Sequence, residues 1–137
     1  MHAKSLTVVL PCLLLATGCD EKTPSAPSFP LNQQFTLAPG EAAAIEETSI
    51  RIQFVSVSGD SRCPADVVCI QGGDALVHVR VGNGTMSEYD LHTGDQSRAA
   101  IVHSGFRIEL MQLQPYPFSS RTIGPEEYRA TLRVSRP

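Results

Sequence analysis

Two cysteines and a scatter of carboxylates and imidazoles carry whatever chemistry this chain has. Cys63 and Cys69 stand six positions apart within Gly59–Ala75, the segment GDSRCPADVVCIQGGDA. The spacing is not the C-x-x-C of redox centres, and no obvious neighbour lowers a thiol pKa. Two cysteines are also too few for a structural zinc site. A disulfide is the expected product, closing a short loop at a gain of about 2 kcal/mol by the chain-entropy estimate. Asp60, Asp66 and Asp74 lie in the same segment and could hold Ca²⁺ if the loop turned them together. Their spacing is not that of an EF-hand, however, and aspartate also suits turns for local reasons.

His78, Asp90 and His92 form a second group. Two imidazoles and a carboxylate on one surface are a donor set for Cu²⁺ or Zn²⁺, and the same residues equally fit a solvated face of weak ion pairs. Tyr116 and Phe118, in Pro115-Tyr116-Pro117-Phe118, place two aromatics in a proline-held loop. Such a loop packs as a lid or presents a protein-contact patch. No Gly-x-Ser-x-Gly motif occurs, and no Ser–His–Asp set can be assembled from sequence alone. Gly82-Asn83-Gly84 is not followed by a helix and so does not read as a phosphate loop. No enzyme activity and no cofactor are expected.

The elements that must position these residues are strands. Phe35 and Leu37 alternate with polar neighbours, as do Ile50, Ile52 and Phe54; Val55 and Val57 then continue on the other parity, which a β-bulge explains. Val77, Val79 and Val81 alternate, as do Tyr89 and Leu91. Phe106, Ile108 and Leu110 alternate before Met111 and Leu113 switch parity. Tyr128, Ala130, Leu132 and Val134 come last. The segment Glu41–Glu47 has helical propensity for at most one turn. About seven short strands separated by Gly, Pro, Ser and Asn predict an all-β fold, an antiparallel β-sandwich of immunoglobulin-like size, with a small β-barrel as the alternative.

The hairpin at Gly82-Asn83-Gly84-Thr85 can be registered. A strict two-residue turn would set Val81, Val79 and Val77 opposite Met86, Glu88 and Asp90. One added residue instead pairs Val81 with Ser87, Val79 with Tyr89 and Val77 with Leu91, leaving Arg80–Glu88 and His78–Asp90 on the other face. The second register separates apolar from charged residues and is the one expected.

The amino-terminal end has its own pattern. Lys4 precedes Leu6–Ala16, an apolar run of about eleven residues, which is too short to span a membrane (~20 residues) but suits a signal peptide. Leu15-Ala16-Thr17-Gly18-Cys19 resembles the lipobox of bacterial lipoproteins. It departs from that pattern at Ala16, where the family usually has Leu. The resemblance implies removal of residues 1–18 and acylation of Cys19 (diacylglycerol thioether, palmitate-type chains), giving two or more acyl chains and stable anchoring. Residues 19–32, with proline at every third position from Pro24 to Pro30, read as an extended tether to a domain over 33–137. The expected location is a cell membrane, facing the periplasm or cell exterior. Asp20 resembles the enterobacterial inner-membrane retention signal, which varies between groups, so inner and outer membrane both stay open.

Cysteine parity agrees with export: Cys12 leaves with the signal, Cys19 takes lipid, and Cys63 and Cys69 remain as a pair for an oxidising compartment. The net charge of −3 becomes −4 once Lys4 is removed, and arginines are scattered singly. Nucleic acid is therefore not an expected partner; the membrane, through Cys19, and a protein are.

Asp60-Ser61-Arg62-Cys63-Pro64, then Cys69, then Gly73-Asp74-Ala75, with Leu91-His92-Thr93 and Pro115-Tyr116-Pro117, resemble a recurring domain of uncharacterised bacterial lipoproteins over most of residues 33–136. That group implies the fold unit and the lipoprotein context and has no activity to transfer. The expected function is a non-enzymatic, lipid-anchored extracytoplasmic binding or interaction domain, with a metal-binding module as the alternative.

Overall fold

Period-two alternation of apolar and polar residues builds nearly every element of a computed structural model, which describes residues 25–137. Residues 1–18, expected as a signal peptide, and Cys19 lie outside the described residues. Nine strands follow in order: β1 (Ser28–Phe29), β2 (Gln34–Leu37), β3 (Ala42–Ile45), β4 (Arg51–Ser58), β5 (Leu76–Asn83), β6 (Thr85–His92), β7 (Ala100–His103), β8 (Phe106–Gln114) and β9 (Arg129–Ser135). They form a five-stranded sheet, β1-β3-β4-β5-β6, and a four-stranded sheet, β2-β9-β8-β7. All pairings are antiparallel except β1 with β3. The sheets do not close on each other, so the fold is a β-sandwich and not the alternative barrel.

The core lies between the inner faces. Ile52, Phe54, Val77, Val79, Val81 and Leu91 of the first sheet are fully buried, as are Ile108, Ala130, Leu132 and Val134 of the second. Both expected parity switches are bulges. The β4–β5 register shifts between Phe54 and Ser56 and the β8–β9 register between Leu110 and Gln112. Val55 and Met111 are thereby turned outward and exposed, while Phe54, Leu110 and Leu113 stay inside. The hairpin adopts the expected register, with His78 opposite Asp90 and Arg80 opposite Glu88. Gly84 sits at its tip with φ +75°, in the left-handed region that a side chain would oppose.

Two segments depart from expectation. Ala42–Ile45, read as a possible helical turn, is strand β3, because pairing with β4 buries Ala43 and Ile45 while a helix would leave them without a partner surface. Ser28–Phe29, read as tether, pairs with β3, and the Phe29 ring stacks on Phe35 with centroids 4.9 Å apart.

The strand ends matter for function. β4 stops at Ser58 opposite Leu76, and Leu76 faces His92 at the end of β6. In the other sheet β8 stops at Gln114 opposite Arg129. The connections 59–75 and 115–128 leave from these ends.

Candidate functional site

The two connections meet on one side chain. The Arg62 guanidinium donates through Nε and Nη2 to the Asp60 carboxylate at 2.8 and 2.7 Å. It also donates to the Leu113 carbonyl at 2.7 Å and the Pro115 carbonyl at 2.9 Å. Tyr128 Oη, beside the start of β9, donates to the same Asp60 carboxylate at 2.9 Å. The side chains of Arg62 and Asp60 are only 8% and 12% exposed, so neither charge could stay there unpaired. Arg62 also lies under the Tyr116 ring, 5.8 Å from its centroid, within cation–π range. Burial alone would raise the Asp60 pKa, but hydrogen bonds from Arg62 and Tyr128 outweigh it and hold the carboxyl below its ordinary value. Burial, followed by the bond to this carboxylate, pushes the Tyr128 phenol up to about 12.

Further bonds join the two connections directly. The Ala65 N–H donates to the Pro117 carbonyl at 2.8 Å. The Ser119 N–H donates to Asp66 at 2.9 Å, and the Ser119 hydroxyl donates to the other carboxylate oxygen. Cys63 and Cys69 are joined as expected, so the 59–75 connection is tied both to itself and to its neighbour.

Asp74 makes the second anchorage. Its Oδ1 accepts from the backbone N–H groups of Ala75, Thr93 and Gly94 at 2.8, 2.9 and 2.8 Å. Its Oδ2 stands 2.5 Å from His92 Nδ1. Burial opposes ionisation, but the bonds from Gly94, His92 and Thr93 prevail and lower the pKa to about 2. Next door, Gly73 has no alternative: a Cβ there would stand 1.5 Å from the Ser61 carbonyl oxygen.

Neither expected metal group converges. Asp60 is taken by Arg62 and Tyr128, Asp66 by Ser119, and Asp74 by the β5–β6 strand ends, each on a different part of the fold. His78 and Asp90 do meet, with Nδ1 to Oδ1 at 2.6 Å. His92 turns away to Asp74, and an Arg98 nitrogen stands 2.9 Å from its Nδ1, a cation where a metal would need to be. Among the described residues no three His, Cys, Asp or Glu side chains are placed to hold a metal ion.

One constellation was hidden in the sequence. Ser58 Oγ lies 2.6 Å from His78 Nε2, on the ring edge opposite Asp90. An ionised Asp90 only accepts, so in the neutral ring Nδ1 carries the proton and Nε2 accepts from the serine hydroxyl. This is the connectivity of a Ser–His–Asp relay, set on the outer face of three neighbouring strands.

Beside Arg62 opens a cleft of about 380 Å³ whose lining includes His92, Gln96, Met111, Gln112 and Tyr116. On the same connection, Val68 and Ile70, on either side of Cys69, are fully exposed and form its tip, with Val67, Tyr116 and Phe118 partly exposed. Tyr116 and Phe118 thus belong to the same surface as the disulfide, and the relay residues do not line this cleft. Compared with family models, curated proteins and solved structures, the chain matches none.

Two consequences can be measured. Arg62→Met leaves a buried carboxylate and two carbonyls without their donor, and denaturant unfolding should show a loss of about 3–5 kcal/mol. Arg62→Lys, which keeps the charge but not the fork, should lose less; the double variant Asp60→Asn/Arg62→Met should lose less than the sum of its parts. A Lys variant as stable as the wild type would mean that the fork geometry contributes nothing beyond the charge.

The second concerns acid. The folded pKa of Asp74 lies below its unfolded value, so its contribution is complete above about pH 4 and falls away as pH drops toward about 2. Because the carboxylate is partly open to solvent, we expect about 1 kcal/mol from it after screening. Asp74→Asn should flatten stability across that window; an unchanged acid limb would show that the carboxylate is not held as described.

Proposed function

We propose that the chain is a non-enzymatic, lipid-anchored extracytoplasmic binding domain, carried on Cys19 at a membrane surface. Its binding surface is the end of the sandwich organised by Arg62. The observation that carries this reading is that the disulfide loop and the Pro115–Phe118 loop are hydrogen-bonded into one unit around a buried ion pair. Such a unit presents a cleft and exposed apolar side chains in a fixed geometry, so little ordering cost falls on binding. A disulfide in so small a domain suits an oxidising compartment, and the resemblance of residues 15–19 to a lipobox supplies the anchor.

A second reading, acyl transfer at Ser58, is favoured by the Ser58–His78–Asp90 distances. Against it, stabilisation of the developing oxyanion is usually the largest catalytic term, and Ser58 stands on an open sheet face with half-exposed Asp90.

The tests separate these readings. Labelled palmitate should enter the wild-type chain and not Cys19→Ser, which should leave the membrane fraction. A photo-crosslinking residue at Tyr116 should give discrete adducts in intact membranes, while one at Val102 on β7 should not. A palmitate-free wild type, or identical adducts at both positions, would contradict the binding reading. A fluorophosphonate probe followed by mass spectrometry should leave Ser58 unmodified; an adduct that disappears in His78→Ala would make the hydrolase the better account.

A further inference from the structure

The disulfide loop ends in a tip whose composition is at odds with water. From Pro64 to Gly73 it carries a single charged residue, Asp66, and three aliphatic ones, Val67, Val68 and Ile70. Val68 and Ile70 have no burial at all. A free loop could fold such side chains inward, but this one is held out by the Cys63–Cys69 bond, the Ala65–Pro117 hydrogen bond and the Asp66–Ser119 pair. Phe118 and Tyr116, half-exposed, flank it on the neighbouring loop. Asp66 is turned to Ser119, and Arg121 on the same connection as Ser119 is paired with Glu127.

The chain's entry favours one occupant. β1 runs parallel to β3, and β3 runs away from the end of β4 that carries this loop. Residues 25–27 therefore come from the end of the sheet from which the 59–75 connection leaves. Ser25 lies near the level of Gln53, and the five residues from there to Ser58 rise about 17 Å. Ser25 is six Cα steps from Cys19, a reach of about 20 Å when extended. A lipid on Cys19 can thus lie level with the loop end.

We propose that Val67, Val68 and Ile70, flanked by Phe118 and Tyr116, form a membrane-docking tip that enters the acyl-chain boundary of the bilayer holding the anchor. This rests on the anchoring reading above and adds an orientation to it: the Arg62 end faces the membrane. A convex aliphatic tip fits a soft hydrocarbon phase without a shaped pocket, and tyrosine at its edge suits the headgroup level. Among the described residues the arginines beside it, Arg62 and Arg121, are each paired with a carboxylate, so docking should not depend on anionic lipid and should persist at high salt.

The chain contains no tryptophan, so Val68→Trp and Val102→Trp each place a single indole that can be excited at the red edge of the spectrum, apart from the tyrosines. The lipidated full-length variants are reconstituted in phosphatidylcholine vesicles with or without brominated acyl chains. Emission from the Val68→Trp variant is expected to shift to shorter wavelength and to be quenched by the brominated lipid, with and without added salt. Emission from the Val102→Trp variant is expected to do neither. A Val68→Trp chain that floats with the vesicles while its indole stays unquenched overturns the tip and leaves the anchor standing. A chain that does not float at all overturns both. A shift of the Val68→Trp emission produced only by added membrane proteins overturns the lipid assignment in favour of a protein partner.

Discussion

A guanidinium and a carboxylate taken out of water set the terms for this end of the molecule. Arg62 and Asp60 are two residues apart, yet their remaining partners come from Leu113, Pro115 and Tyr128, more than fifty positions downstream. A buried ion pair is tolerable only when its outstanding donors and acceptors are met. Meeting them fixes where the 59–75 and 115–128 connections pass. The end of β8, the Pro115–Phe118 loop and the residue just before β9 all carry groups that the pair uses. Above that frame the disulfide loop has little freedom left, and its apolar tip is displayed as a consequence.

The residues singled out in the sequence around Cys63 and Cys69 acquire physical roles in this setting. Asp60 and Arg62 form the pair, Ser61 approaches Gly73 so closely that only glycine fits, and Asp74 clamps the ends of β5 and β6 through Thr93 and Gly94. His92 completes that clamp, and the carbonyls of Pro115 and Pro117 accept from Arg62 and Ala65. The pattern describes how this end of the sandwich is built and held. The most exposed apolar groups, Val68 and Ile70, are separate from the groups that do the holding, whereas the cleft is lined by both kinds, Met111 and Gln112 beside Arg62 and His92.

Much of the sandwich was legible because alternation is local. The parity switches after Phe54 and Leu110 marked both bulges, and charge matching chose the β5–β6 register. β3 was not legible, since three alanines favour a helix until β4 offers an edge to pair with. Ser28–Phe29 was hidden by its prolines. At the site, the disulfide and the His78–Asp90 pair followed from short-range spacing. The partners of Asp60, Asp66 and Asp74 did not, because each bond closes a long stretch of chain that only the finished sheets define. Ser58 reaches His78 for the same reason: the β4 bulge sets their register, and a bulge announces its position more readily than what it brings together.

Native-state amide hydrogen exchange is the direct test of whether this end is one unit. The N–H groups of Ala65 and Ser119, which cross between the two connections, and those of Ser61 and Gly94, which bond to Asp74 just before β5, should open together, with similar free energies well above those of a free loop. Exchange of Ala65 and Ser119 at free-chain rates while the β4–β5 ladder stays protected would contradict a preformed surface.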